Sequence, residues 1–404
     1  MPWKETCAMD EKVRFIVAYL EAKQSMSDLC ASFGISRKTG YEVLARYRAA
    51  GYAGLAAGSR APHSHGRATP PELVGPIVAL RQERPRWGPK KLRAELTRRD
   101  PGKPWPAAST IGEILDRAGL VAPRRRSRAA GPRRALSVPE QPNALWSTDF
   151  KGWFRTRDNR RCDPLTINDG YSRYYLNCTI VPPTTAGVRA AFERVFQEYG
   201  LPERMRSDNG PPFSSRGCAG LSRLNVWWIR LGIEIELIDP GQPQQNGRHE
   251  RAHATLKAET AAPPAASPAA QQARFDAFCW DYNTQRPHEA LGQEPPAWHY
   301  TPSPRPYPDR LLEPCYDADC EVRRVRSGGE IKWRGGRLFL SECLAGETVG
   351  LRELSSGDGL VTFFHHELGV IERTTMRFRS FGPPRPGRPK AEQNGKTVTH
   401  VTGP

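Results

Sequence analysis

Three carboxylates in this sequence stand where chemistry can be done. Asp149 lies in Trp146-Ser147-Thr148-Asp149-Phe150-Lys151-Gly152, Asp208 in Ser207-Asp208-Asn209-Gly210-Pro211-Pro212-Phe213, and Glu250 in Asn246-Gly247-Arg248-His249-Glu250-Arg251. The apolar runs before the two aspartates read as short buried strands, which puts each acid at a strand end. Glu250 falls in the first turn of a helix that follows another such run. α/β layers gather their sites at positions of this kind. Two bare carboxylates about 4 Å apart repel by about 4 kcal/mol at an effective dielectric near 20. A cluster of three must therefore take up a proton or a cation, and an all-oxygen ligand set suits Mg²⁺ or Mn²⁺ rather than zinc. Two such ions can activate a water or a 3′-hydroxyl and stabilise the leaving oxygen of a phosphodiester. Taken singly, each acid also fits a plain turn or cap.

The elements that must bring these acids together follow from the pattern around them. Short apolar runs over 145–150, 165–168, 174–181, 204–207 and 233–238 read as five strands. Helical periodicity separates and follows them over 184–199, near 221–231, over 247–260 and over 271–283. Three strands, then alternating helices and strands, give one α/β layer with a mixed sheet over 141–300. Strands broken by glycine turns over 310–375 predict a small all-β barrel. Residues 380–404, rich in Pro, Gly and Lys, read as a disordered tail with a Gly387-Arg388-Pro389 tripeptide.

Before the α/β layer the texture is helical and basic. Residues 1–50 read as a helix-turn-helix domain. Its first helix carries Val13, Ile16, Val17 and Leu20 on one face, its turn falls at Gly34, and its second helix is capped by Ser36. That second helix would present Arg37, Lys38 and Thr39 to a DNA groove. Residues 69–120 read as a second helix-turn-helix domain, with Ser109 capping its last helix. A basic linker over 121–140 carries Arg124, Arg125 and Arg126, placed to lie on phosphates.

The chain of 404 residues carries a formal net charge of +17. Residues 1–140 hold +13 of it, residues 141–300 only +1 and residues 301–404 +3. Cations concentrated in one third of the chain point to a nucleic-acid-binding arm. The nine cysteines include no C-x-x-C pair and no zinc spacing, so reduced thiols in the cytoplasm are expected, with the protein on the nucleoid. No apolar run reaches the ~18–20 residues of a membrane span and no signal peptide opens the sequence, so no membrane partner is expected.

Together these motifs resemble the catalytic core of DDE transposases and retroviral-type integrases. The resemblance rests on W-S-T-D-F-K-G, S-D-N-G-P-P-F, P-G-Q-P-Q-Q-N-G-R-H-E-R-A-H-A-T-L-K and the closing Tyr282-Asn283-x-x-Arg286-Pro287-His288. The tandem helix-turn-helix arrangement is similar to that of bacterial insertion-sequence transposases. The resemblance implies a ribonuclease-H-like fold with Asp149, Asp208 and Glu250 as catalytic and metal-binding triad for two Mg²⁺ or Mn²⁺ ions. It implies double-stranded DNA partners, both terminal inverted repeats and target, and a homo-oligomer in the synaptic complex. The stretch between Asp208 and Glu250 is longer than in compact members, with the extra length around Arg216–Val226. Asn246 falls in a loop read as touching DNA. Lys257, two helical turns beyond Glu250 on the same face, is expected to meet DNA rather than metal. A regulator with an inactive core and a site-specific nuclease of the same fold are the other readings.

Overall fold

A computed structural model describes residues 7–56, 69–121, 136–215, 217–238 and 247–382. Arg124, Arg125, Arg126, Asn246 and the Gly387-Arg388-Pro389 tripeptide lie outside the described residues. The chain divides into two compact units, Met1–Pro70 and Pro71–Pro404.

The first unit is three helices: α1 (Ala8–Leu20), α2 (Met26–Ser32) and α3 (Arg37–Ala50). Ser25 and Ser36 cap α2 and α3, each hydroxyl accepting from the backbone three residues on. Phe15, Ile16, Leu29, Cys30, Val43, Leu44 and Leu55 form its core. α2 and α3 touch so closely at Gly40 that a Cβ there would stand 2.5 Å from Cys30 Sγ. The buried stripe of α1 differs from the expected one: Phe15 and Ile16 point inward, while Val17 is 47% and Leu20 61% exposed. Among the described residues α2, α3 and the short turn of helix over Gly51–Leu55 cover one side of α1, so it buries a stripe narrower than its apolar content.

The second unit opens with α4 (Pro71–Glu83), α5 (Pro89–Arg99) and α6 (Ala108–Arg117), packed around Ile77, Leu80, Trp87, Leu92, Leu96 and Ile111. α6 starts one residue before Ser109, behind Ala107 and with no side-chain cap. The extended backbone around Pro104 and Pro106 delivers the chain to the helix before the serine is reached.

The α/β layer contains β1 (Trp146–Phe150), β2 (Phe154–Arg155), β3 (Arg161–Cys162), β4 (Pro164–Asp169), β5 (Tyr175–Ile180), α7 (Thr185–Tyr199), β6 (Arg204–Ser207), α8 (Arg223–Arg230), β7 (Glu234–Leu237), α9 (Gly247–Thr260) and α10 (Pro268–Thr284). Its five-stranded sheet has the order β5-β4-β1-β6-β7. β4 runs antiparallel to β1 and β5, whereas β6 is parallel to β1 and β7, with α8 as the crossover between the last two. Trp146, Phe192, Phe196, Met205 and Trp228 fill one face. β2 and β3 form a hairpin outside this sheet that the strand pattern did not reveal.

Beyond the layer come β8 (Cys320–Arg324), β9 (Glu330–Trp333), β10 (Gly336–Phe339), β11 (Thr348–Glu353), β12 (Gly359–Phe363), β13 (His366–Ile371) and β14 (Phe378–Ser380). They make an open antiparallel sheet, β14-β13-β12-β11-β8, and a separate β9–β10 hairpin, not a hydrogen-bonded closed barrel. Trp333 of the hairpin lies over Gly359, where a Cβ would be 2.7 Å from its ring, so the hairpin covers the sheet's face instead of joining its edges. This all-β region shares one continuous apolar core with the α/β layer, Leu344, Val349 and Phe363 packing in the same cluster as Phe213 and Trp228. The extra stretch after Asp208 is where they join: Ala219 N donates to Ser380 Oγ (2.7 Å), and Arg230 pairs with Glu347 (3.2 Å). All nine cysteines are free thiols. No helix among the described residues is long and apolar enough to cross a membrane.

One buried charge pair ties the chain entering the layer to its sheet. Arg206 on β6 and Glu236 on β7 face each other in register at 3.0 Å, with side chains 7% and 0% exposed. Glu236 accepts from Ser137 N and Oγ, and Arg206 donates to the Ser137 carbonyl. Arg206→Met should destabilise the fold by about 3–5 kcal/mol, because Glu236 keeps a buried charge. Arg206→Met combined with Glu236→Leu should recover most of that loss. Urea unfolding of the two variants measures the difference.

Candidate functional site

The acid cluster is built from β1 outward. Asp149 is the penultimate residue of β1, half-buried, and stands opposite Thr166 of β4, so both side chains leave the same face of the sheet. α9 lies across that face. Its His249 and His253, one turn apart, both point Nε2 at the Thr166 hydroxyl, at 2.7 and 2.6 Å. Thr166 Oγ1 also reaches the Asp149 carbonyl oxygen at 3.1 Å. With the hydroxyl proton donated to that carbonyl, its two lone pairs accept from both imidazoles, which assigns the hydrogens to Nε2. His253 Nδ1 then faces Asp149 Oδ2 at 3.7 Å. Burial keeps both rings neutral, holding His249 down at about 3 and His253 lower still. The contact with Asp149 is therefore not an ion pair.

This pinning sets the position of Glu250. It is the residue after His249, in the first turn of α9 and exposed, so α9 turns an acid toward solvent while its neighbour is sewn to the sheet. Asp208 follows the last residue of β6 and is half-buried. Its Oδ1 accepts from Gly210 N at 3.1 Å, and Asn209 Nδ2 donates to Ile238 O at 2.6 Å. Phe213 anchors the loop, its ring 5.8 Å from Phe150 and 6.3 Å from Trp228. Burial raises the Asp208 carboxyl. Burial, then the charges of Asp208 and Glu250, push Asp149 up to about 7. Asp149 thus feels both other acids, although the three do not all come within the 4.8 Å that encloses donor atoms of Asp149, His249 and His253.

Other residues singled out in the sequence are placed as follows. Arg37, Lys38 and Thr39 are exposed at the start of α3, in the other unit. Thr39 also serves the cap, its hydroxyl 2.9 Å from that of Ser36. Lys257 is exposed on α9. Its charge, after burial, lowers the pKa of Lys151, so these two lysines lie near each other beside Asp149. Lys151 escaped notice because a lysine two residues past a strand-end acid reads as an ordinary surface cation. The roles of His249 and His253 had a signal in their spacing of four, which puts both on one helix face.

The Tyr282–His288 segment ties the site to the helices before it. Asn283 pairs with Tyr175 N and O on β5, at 2.8 and 2.9 Å, and Arg286 with Glu259 on α9 at 2.7 Å. From the other side Arg84 meets Asp281 (2.5 Å), Lys90 meets Glu289 (2.5 Å), and Lys91 donates to the Pro287 carbonyl. Burial and Arg286 hold Lys91 down at about 8.

Comparison with known proteins gives this arrangement its relatives. Two integrase core domain families match, over residues 139–243 and 231–296. A helix-turn-helix domain matches over 11–63 and a homeodomain-like domain over 39–115. A 31.7 kDa protein of insertion element IS407 from Burkholderia multivorans is 30% identical over 230 residues, covering 56% of this chain and 79% of the relative. A 39.2 kDa protein of insertion element IS476 from Xanthomonas euvesicatoria is 30% identical over 275 residues, covering 65% and 74%. Among solved structures, a chain of the simian T-cell lymphotropic virus intasome is 17% identical with a TM-score of 0.34, over 72% of this chain and 97% of that one.

The raised Asp149 carboxyl has a measurable consequence. A carboxyl at about 7 binds its proton more tightly folded than unfolded, so folded stability falls as pH rises from the ordinary carboxylate range through about 7. Asp149→Asn removes that loss. Near pH 8 and without divalent cations it should be more stable than the parent by about 4 kcal/mol, and near pH 4 the two should nearly match. Urea titrations at both pH values check this; equal stability near pH 8 would show an unperturbed carboxyl.

Proposed function

The chain belongs to the DDE insertion-sequence transposases with an integrase core, and on that premise we propose that it binds the ends of a mobile DNA element, nicks them by hydrolysis and joins the freed 3′-hydroxyl to target DNA. The observation that carries this reading is the Asp149 carboxyl at the end of β1, which burial first, and then the charges of Asp208 and Glu250, push up to about 7. None of the three is ion-paired with Lys or Arg among the described residues, so the cluster carries excess negative charge that a divalent cation would neutralise. The three carboxylates offer hard oxygen donors, which fit Mg²⁺ or Mn²⁺ better than zinc. Such ions supply Lewis-acid stabilisation of charge on the attacking and leaving oxygens of a phosphodiester.

This chain's own residues do the rest. His249 and His253 hold α9 against β4 and thereby fix where Glu250 stands relative to Asp149. Lys151 and Lys257 put positive charge beside the acids, where a DNA backbone would lie. The α4–α6 unit, docked on the end of α10, carries a homeodomain-like fold to the same unit as the acids, and α3 presents Arg37 and Lys38 on the other unit. Tandem DNA-reading domains favour recognition of specific ends over nonspecific nuclease action. A second copy of the chain would serve the second end.

The test is strand joining with purified protein, element-end DNA and Mg²⁺. Asp149→Asn, Asp208→Asn and Glu250→Gln should each reduce joining by at least about a thousandfold, more than 4 kcal/mol of activation free energy, while still binding end DNA. Joining at the parent rate by any one of them removes that residue from the triad. Arg37→Ala with Lys38→Ala in the full chain should weaken end binding, and should flatten the dependence of log affinity on log salt by roughly 0.9 for each phosphate no longer neutralised. An unchanged slope would take α3 off the DNA.

A further inference from the structure

The β2–β3 hairpin directly after Asp149 has a composition that its place in the fold does not explain. Residues 151–161 contain Lys151, Arg155, Arg157, Arg160 and Arg161 against a single acid, Asp158. Asp158 is turned inward on the loop, where its carboxylate accepts from Thr156 Oγ1 and Arg160 N. Asp163 neutralises Arg161 at 2.6 Å. Arg155, Arg157 and Arg160 are exposed, and none of them meets a carboxylate in an ion pair among the described residues. Among them stands Trp153, 57% exposed, with the guanidiniums of Arg155 and Arg161 5.9 and 5.2 Å from its ring centre.

The hairpin is rigidly mounted. Phe154 packs edge-on to Phe275 of α10, Cys162 is buried, and Arg157 N and Asp158 N donate to Ala265 O and Ala266 O at 2.9 and 3.2 Å. A large, exposed aromatic ring beside Arg155, with Arg157 and Arg160 exposed on the same hairpin, matches a polyanion that also offers flat rings: a nucleic acid strand with an unstacked base. An acidic protein surface would use the cations and leave the ring's stacking face without a partner. Trp153 is four residues from Asp149, at most ~14 Å of extended chain, which is about four nucleotides along a strand.

We propose that the hairpin over 151–162 grips DNA beside the acid cluster, with Trp153 stacking on an unpaired base next to the phosphodiester under attack and Arg155, Arg157 and Arg160 on the flanking phosphates. The proposal rests on the transposase reading for its DNA, which is element end or target. It predicts that the strand is splayed open near the reacting phosphate, since a base inside the duplex has no free face.

The experiment is equilibrium binding of the full chain in an Asp149→Asn background, so that no DNA is consumed, to two labelled DNAs: a blunt duplex, and one whose last few base pairs are mismatched. Trp153→Ala should lose about tenfold or more in affinity for the splayed DNA, and less than about twofold for the blunt one. Trp153→Phe should restore most of the loss, which separates stacking from misfolding. Arg157→Ala with Arg160→Ala should weaken binding to both DNAs and lower the salt slope by roughly 1.8. Mismatches placed in an element end and in an unrelated duplex identify which strand the platform holds; loss on either supports it. Unchanged affinity of Trp153→Ala for both splayed DNAs overturns the proposal and assigns the hairpin to a protein partner. Because binding is read without catalysis, a parent that fails to join DNA sinks the transposase reading without deciding the platform.

Discussion

The buried pin that two imidazoles of α9 make on the Thr166 hydroxyl is the contact on which the surroundings of Asp149 depend. Burial, and after it the charges of Asp208 and Glu250, push Asp149 up to about 7, so the positions of these two acids are felt at Asp149. Two of the acids are fixed by neighbouring strands, since β1 and β6 are hydrogen-bonded partners at the middle of the sheet. The third arrives on a helix, which could slide or tilt. The Thr166 hydroxyl stops it: two imidazoles of α9 and a carbonyl of β1 meet on one oxygen, in a buried spot where an unmade hydrogen bond costs about 1–3 kcal/mol.

The surroundings then serve to keep that geometry. The Tyr282–His288 segment, a recognisable string in the sequence, is a three-way joint. It holds β5 through Asn283, α9 through Arg286, and the α4–α6 unit through Pro287, with Asp281 just before it pairing with Arg84. The α4–α6 helices, part of the homeodomain-like match, are thereby set on the same body as the acids. On the far side, the extra stretch after Asp208 receives the all-β region. One shared apolar core across both removes the freedom that a linker would leave.

Charge is distributed to match. The basic excess lies in the first third of the chain, while the α/β layer is nearly neutral overall. Its cations are not spread evenly either: Lys151 and Lys257 lie near each other beside Asp149, and four arginines gather in the β2–β3 hairpin. Cations beside acids in this way set up a local field that favours a polyanion at the rim.

The sequence by itself determined the local elements and the three acids. Strand-length apolar runs ending in Asp149 and after Ser207, and a helix opening at Gly247, are set by periodicity and turn chemistry, which act over a few residues. The motif strings carried the family in the same way. What only the tertiary structure decided involves partners far apart in the chain. His249 and His253 could be read as two histidines on one helix face, but Thr166, 83 residues before the first of them, makes them the pin of the site. The all-β region could be read as strands, but whether they close into a barrel depended on Trp333 lying over Gly359. Val17 and Leu20 shared a stripe with Ile16, yet solvent took them because the described neighbours of α1 cover only one side of it. In the β2–β3 hairpin, strands two residues long leave no periodicity to detect, and their pairing follows from anchors on α10. In each case the deciding energy comes from burial against a surface that the local sequence does not contain.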